Sequence, residues 1–183
     1  MRKINRYLAA FLGLGFYIMS SGCALLATTS ELRADRDQLK SIRNVGVLQF
    51  TGEVYSYQAS VQFLDGLERL GLFDNIANLE SVERALQKYG LNASQYSNPE
   101  TRQMLRDMLD LDALFVGSLA AYNNLAAGNA HLIVELIDLK SGETLWACHA
   151  QDDRWVSWSA DISSTSSRAV RNALLKVKMD MKL

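Results

Sequence analysis

Two histidines, two cysteines and one proline are all that the 183-residue chain contains of these types, and its 19 basic residues are offset by 20 acidic ones. Each shortage excludes something. Without a basic excess there is no surface to release counterions from phosphates, so nucleic acid is not an expected partner. Two cysteines do not make a disulfide scaffold. Two histidines fall short of the three or four ligands that zinc takes. Motifs of reaction are missing too: no G-x-S-x-G elbow, phosphate loop, H-E-x-x-H or C-x-x-C occurs. What remains is a chain 49% hydrophobic and 21% charged, which suits one globular domain rather than a disordered or collagen-like chain.

The amino terminus carries the clearest signal. Arg2, Lys3 and Arg6 form a positive n-region, Tyr7 to Met19 an apolar h-region, and Ser20-Ser21-Gly22-Cys23 follows. This pattern resembles a bacterial lipoprotein signal, in which the chain is cut before a cysteine that then carries lipid. Here the cut falls between Gly22 and Cys23, with Ser21 and Gly22 small enough to pass. Ser20 departs from the leucine usual at that position. The apolar run is shorter than the roughly 18 residues that a spanning helix needs, which disfavours an uncleaved anchor. Several acyl chains on Cys23 would hold durably, where a single chain gives marginal binding. By resemblance to enteric sorting, Ala24 in place of aspartate favours the outer membrane. Losing the n-region takes the net charge from −1 to −4. The expected division is a signal peptide over 1–22, a lipid-anchored tether over 23–41 and a periplasmic domain over 42–183.

With Cys23 lipidated, Cys148 is left without an intramolecular partner, and its bland reading is a buried strand thiol. The neighbouring His149 invites a nucleophile–base reading. Adjacent strand residues point to opposite faces, however, so the two cannot share a proton.

Runs apolar on both faces predict strands at Val45 to Phe50 and Ala130 to Leu139, an uncharged run after Asp112 predicts one at Asp112 to Tyr122, and others are expected at Thr144 to Ala150 and, shorter, at Leu72 to Asn78. Helical spacing places Val61, Leu64, Leu67 and Leu70 on one face, ended by Gly71, and Leu79, Val82, Leu86 and Tyr89 on another, capped by Asn78. Asn98, Pro99 and Glu100 open a third helix. The last runs over about Ser159 to Met179. Asn123 to Asn129 is expected as a loop, and Lys140 to Glu143 as a turn in which Gly142 takes the left-handed conformation. Gly117 would allow another backbone to approach. The order predicts an α/β fold: a single sandwich-like domain with a mixed β-sheet of about four to five strands flanked by helices.

Candidate chemistry is sparse. His131 and His149 fall on neighbouring strands, and Asp110 and Asp112 flank a helix-to-strand junction where a solvated loop end is the ordinary reading. Trp155 and Trp158 before the last helix, and Tyr55 and Tyr57 after the first strand, are candidate partner-binding residues or, equally simply, packing residues.

Asn44 to Phe50, Gly71 to Ile76, Glu80 to Leu91, Leu109 to Tyr122 and His131 to Ala147 together resemble, in order, a superfamily of bacterial envelope proteins. It contains the amino-terminal domain of TolB, the curli secretion lipoprotein CsgG and the penicillin-binding-protein activator LpoB. Its hallmarks correspond here to Asp112 to Ser118 and Asp138 to Trp146. The resemblance implies a lipoprotein that binds envelope proteins, with homo-oligomers among its expected assemblies, and that uses no catalytic residue, metal or cofactor. Two departures stand out. Asn123 to Asn129 leaves no room for the membrane-spanning hairpins of the curli pore, and the tether is short beside that of the penicillin-binding-protein activators. The alternative reading is a periplasmic lipoprotein that binds a glycan or small molecule through Trp155, Trp158 and the Tyr55 loop.

Overall fold

The computed structural model describes residues 28–52, 54–124, 127–153 and 162–181. Among the described residues seven strands form one mixed sheet: β1 (Thr29–Leu32), β2 (Asn44–Val47), β3 (Thr51–Gly52), β4 (Asn75–Ala77), β5 (Ala113–Asn124), β6 (Ala127–Asp138) and β7 (Thr144–Asp153). Their order across the sheet is β1-β7-β6-β5-β2-β4, and β3 pairs with β5 beyond the end of β2. The pairs β2–β4, β2–β5 and β3–β5 are parallel, and those joining β5, β6, β7 and β1 are antiparallel. Five α-helices accompany the sheet among the described residues: α1 (Arg36–Ser41), α2 (Ser56–Leu70), α3 (Leu79–Lys88), α4 (Pro99–Leu109) and α5 (Ile162–Met181). No helix among the described residues is long and apolar enough to cross a membrane.

The α/β sandwich expected from the sequence is present, with two strands beyond the four or five anticipated. One is β3, only two residues long. The other is β1, which lies inside the stretch expected to be a tether over 23–41. Thr29 to Leu32 pair with His149 to Trp146 at the sheet edge, and Arg33 and Ala34 donate to the carbonyl of Leu145 at 2.9 and 3.0 Å. Helix α1 is then capped by Asp35, whose carboxylate accepts from the Gln38 amide at 2.7 Å, and buries Leu39. Thr28 is itself buried, so the packed chain starts well before residue 42. The segment Asn123 to Asn129, expected as a loop, also differs: β5 runs to Asn124 and β6 starts at Ala127.

Period-two alternation sorts side chains into two cores. Phe115, Leu119, Leu132, Val134, Leu136, Trp146 and Cys148 face α2 and α5. Leu114, Val116, Ile137 and Leu139 face Val82 and Leu86 of α3 and Leu105 of α4. A chain of tilted and edge-on rings crosses the larger core from Phe50 through Phe63 and Phe115 to Trp146, with centroids 5.4, 5.4 and 6.3 Å apart. Such geometry is the favoured one for aromatic quadrupoles. Gly117 admits close neighbours, as expected: a Cβ there would stand 2.8 Å from both the Ile133 carbonyl and the Phe50 ring. Buried Ser60 fixes the entry to α2, accepting from the Phe50 amide at 2.7 Å and donating to the Ser56 carbonyl at 2.8 Å.

Candidate functional site

The two faces of the sheet are covered unequally. Helices α2 and α5 lie over one face, whereas α3 and α4 cover only the part of the other face near β2, β4 and the start of β5. Toward β1, outward-facing side chains of β6 and β7 remain exposed or half-buried, among them Ile133, which is 47% exposed. The sequence reading had both faces of β6 apolar. The structure gives Ile137 and Leu139 a cover and leaves Ile133 without one among the described residues.

His131 and His149 share this open face. The β6–β7 register pairs His131 with Gln151 and Ile133 with His149, so the imidazoles are diagonal neighbours. His131 Nδ1 and His149 Nε2 stand 3.4 Å apart while the ring centroids are 5.6 Å apart. The nitrogens therefore lie between the rings, edge toward edge, although the ring planes differ by only 27°. Among the described residues no three or more His, Cys, Asp or Glu side chains surround a common point. Glu31 on β1 occupies the same face and binds Arg33 at 2.9 Å. That hydrogen bond holds the Arg33 guanidinium above its ordinary pKa, with the charge of Glu31 adding to it.

The other reactive side chains serve the fold. Cys148 is 2% exposed, and burial pushes its thiol from 9.0 to about 12, against a smaller lowering by Lys176. A thiol so placed is a poor nucleophile. Asp112 accepts from the Arg43 and Asn44 amides at 2.8 and 2.9 Å and so pins the start of β2. Asp110 ends α4 in the left-handed conformation and accepts from the Asn44 side chain at 3.3 Å. Trp146, fully buried, donates its indole N–H to Asp180 on α5 at 2.8 Å. Asp152, 5% exposed at its side chain, pairs with Arg168 at 2.6 Å.

Of the predicted site residues, Gly22, Cys23, Trp155 and Trp158 lie outside the described residues. Tyr55 is half-buried against the larger core and Tyr57 is 57% exposed. Sequence reasoning missed Asp180 and Arg168 as partners of β7. Both lie on a helix far along the chain, and nothing local marks which helical polar residue meets which strand.

No family model matches the chain, and no curated protein matches its sequence. Solved structures do match. A PelC dodecamer from Paraburkholderia phytofirmans aligns with a TM-score of 0.53 at 12% identity, over 82% of this chain and 96% of that one. Lipoprotein GNA1162 from Neisseria meningitidis aligns with a TM-score of 0.50 at 16% identity, over 73% of this chain and 99% of the other. The fold is shared with a bacterial lipoprotein. The LpoB C-terminal domain from Salmonella enterica aligns at 14% identity with a TM-score of 0.43, too low to add to the fold assignment. At these identities the likeness is one of architecture.

Proposed function

We propose that the chain is an outer-membrane lipoprotein, anchored through Cys23, whose periplasmic domain binds proteins as an assembly or scaffolding factor of a cell-envelope machine. One observation carries the reading: the fold aligns over almost the full length of lipoprotein GNA1162, and this chain also opens with a lipoprotein-type signal ending at Cys23. Membership of the TolB, CsgG and LpoB superfamily, on a resemblance over about residues 42–178, belongs to the same proposal. Self-association is part of it as well, since the PelC likeness is to a protein solved as a dodecamer.

The domain works by binding rather than by catalysis. Burial suppresses the thiolate of Cys148, and the carboxylates of Asp110 and Asp112 are engaged in holding β2. In-cell cross-linking followed by affinity capture of the full chain from detergent-solubilised envelopes tests the reading. Reproducible cross-links to envelope proteins, to further copies of the chain, or to both are expected. A strictly monomeric chain without cross-linked protein, stabilised instead by a glycan or small molecule in a melting assay, would overturn it.

A further inference from the structure

We propose that the free edge of β1 pairs antiparallel with β1 of a second copy of this chain, in a two-fold register centred on Leu32. The proposal deepens the self-association within the proposed function and rests on that part of it, because it names the surface through which two copies meet.

Strand β1 ends the sheet order, and among the described residues no strand pairs its outer side. Its phase is fixed by the Arg33 amide, which donates to the Leu145 carbonyl in line with the β1–β7 register. Bonding alternates along an antiparallel ladder, so Thr29 and Glu31 turn their backbone groups toward β7 and Ser30 and Leu32 turn theirs outward. Leu32 is 42% exposed, on the side of the sheet that Trp146 shares with α5. An unpaired amide and carbonyl at an exposed leucine form a template for another strand.

Charge selects the occupant and the register. Glu31 and Arg33 project from the opposite side of the strand, 2.9 Å apart, with side chains 65% and 48% exposed. Two copies that continue one sheet across a two-fold axis oppose residues of the same face. Centred on Glu31, the pairing sets one Glu31 carboxylate against the other, a destabilising arrangement. Centred on Leu32, it sets Glu31 of each copy against Arg33 of the other, and Leu32 against Leu32. The Leu32 residues then exchange their amide and carbonyl bonds, and the Glu31–Arg33 positions become the closer, non-bonded pairs of the ladder. The bond already present within each chain stays. A carboxylate accepts at about four sites and a guanidinium carries several N–H donors, so the charges close into one alternating network. A four-residue edge makes a contact below the roughly 1,200 Å2 of a standard interface, so the pairing is weak in free solution and fills when copies are concentrated on one surface.

The test is a charge-reversal cycle on the full chain in isolated envelopes, read by cross-linking Leu32→Cys, in a Cys148→Ala background, with a short bis-maleimide. A homodimer is expected for Leu32→Cys and none for the background chain. Adding Glu31→Arg, or Arg33→Glu, is expected to lower its yield at least about fivefold, because each change opposes like charges twice. Co-expressing these two charge variants is expected to restore the dimer, since each copy brings the charge that the other lacks. Restoration also shows that both variants fold. A cross-link from Leu32→Cys to a different protein, no homodimer, or a yield indifferent to the charges would overturn the proposal. If other surfaces still cross-link copies or envelope proteins in that case, this proposal alone falls and the proposed function stands.

Discussion

The indole N–H of Trp146 reaches the carboxylate of Asp180 at 2.8 Å, joining the start of β7 to the last turn of α5 across the larger core. Trp146 is otherwise enclosed, and its ring meets Phe115 edge-on. A hydrogen bond to a charged acceptor contributes more than a neutral one, about 1.5–3 kcal/mol. Trp146→Phe, which keeps much of the ring but loses the donor, is therefore expected to destabilise the domain by about 2 kcal/mol. Trp146→Ala is expected to cost about 3–5 kcal/mol through the cavity it leaves. Asp180→Asn, which retains an acceptor oxygen, is expected to cost less than either. Urea unfolding of the three variants checks the order.

The β6–β7 turn depends on a close contact that only glycine permits. Gly142 has φ of 81°, and a Cβ there would lie 2.5 Å from Cζ of Arg102. Arg102, a buried α4 residue, cannot move away freely, because its guanidinium donates to the carbonyls of Ser97 and Ser141. Gly142→Ala is expected to destabilise by roughly 1–3 kcal/mol from backbone strain and steric conflict together. The double variant Arg102→Ala, Gly142→Ala is expected to lose less than the two single changes added together, because removing the guanidinium removes the conflict. A double-mutant cycle of thermal or urea unfolding measures this coupling.

Cys148 makes a prediction about pH. Its folded-state pKa is raised to about 12 by burial, so the folded chain keeps the thiol proton over a range in which the unfolded chain releases it. The contribution to stability is present in full below 9.0 and is lost as pH rises from there toward 12. Cys148→Ala is expected to flatten this part of the alkaline stability profile. In the wild-type fold, alkylation of Cys148 near pH 8 is expected to proceed only on unfolding, which mass spectrometry in native buffer and in denaturant distinguishes.

Local signals in the sequence were strong where a single residue type decides the backbone. Asn98 and Pro99 mark the start of α4, with the Asn98 side chain accepting from Glu100 at 2.9 Å. Gly71 closes α2 in the left-handed conformation, and Asn78 caps α3. The misses were elements whose formation is not local. Strand β1 has a polar sequence and exposes Leu32, because an edge strand is held by the backbone of β7 rather than by its own apolar pattern. The extension of β5 to Asn124 and of β6 back to Ala127 likewise rests on mutual pairing of small and polar residues, Asn123 with Gly128 and Asn124 with Ala127. At the site, the sequence placed His131 and His149 on neighbouring strands, but their diagonal contact follows from the register, and the register includes a bulge at Leu136 to Ile137 that no residue pattern announces.

The central claim, a lipid-anchored envelope protein, is tested most directly by metabolic labelling with a fatty-acid probe combined with fractionation of the cells. The wild-type chain is expected to carry the label and to sediment with the outer membrane, and Cys23→Ala is expected to lose the label and leave that fraction. Labelling that persists in Cys23→Ala, or an unlabelled wild-type chain recovered in the soluble fraction, would contradict the account.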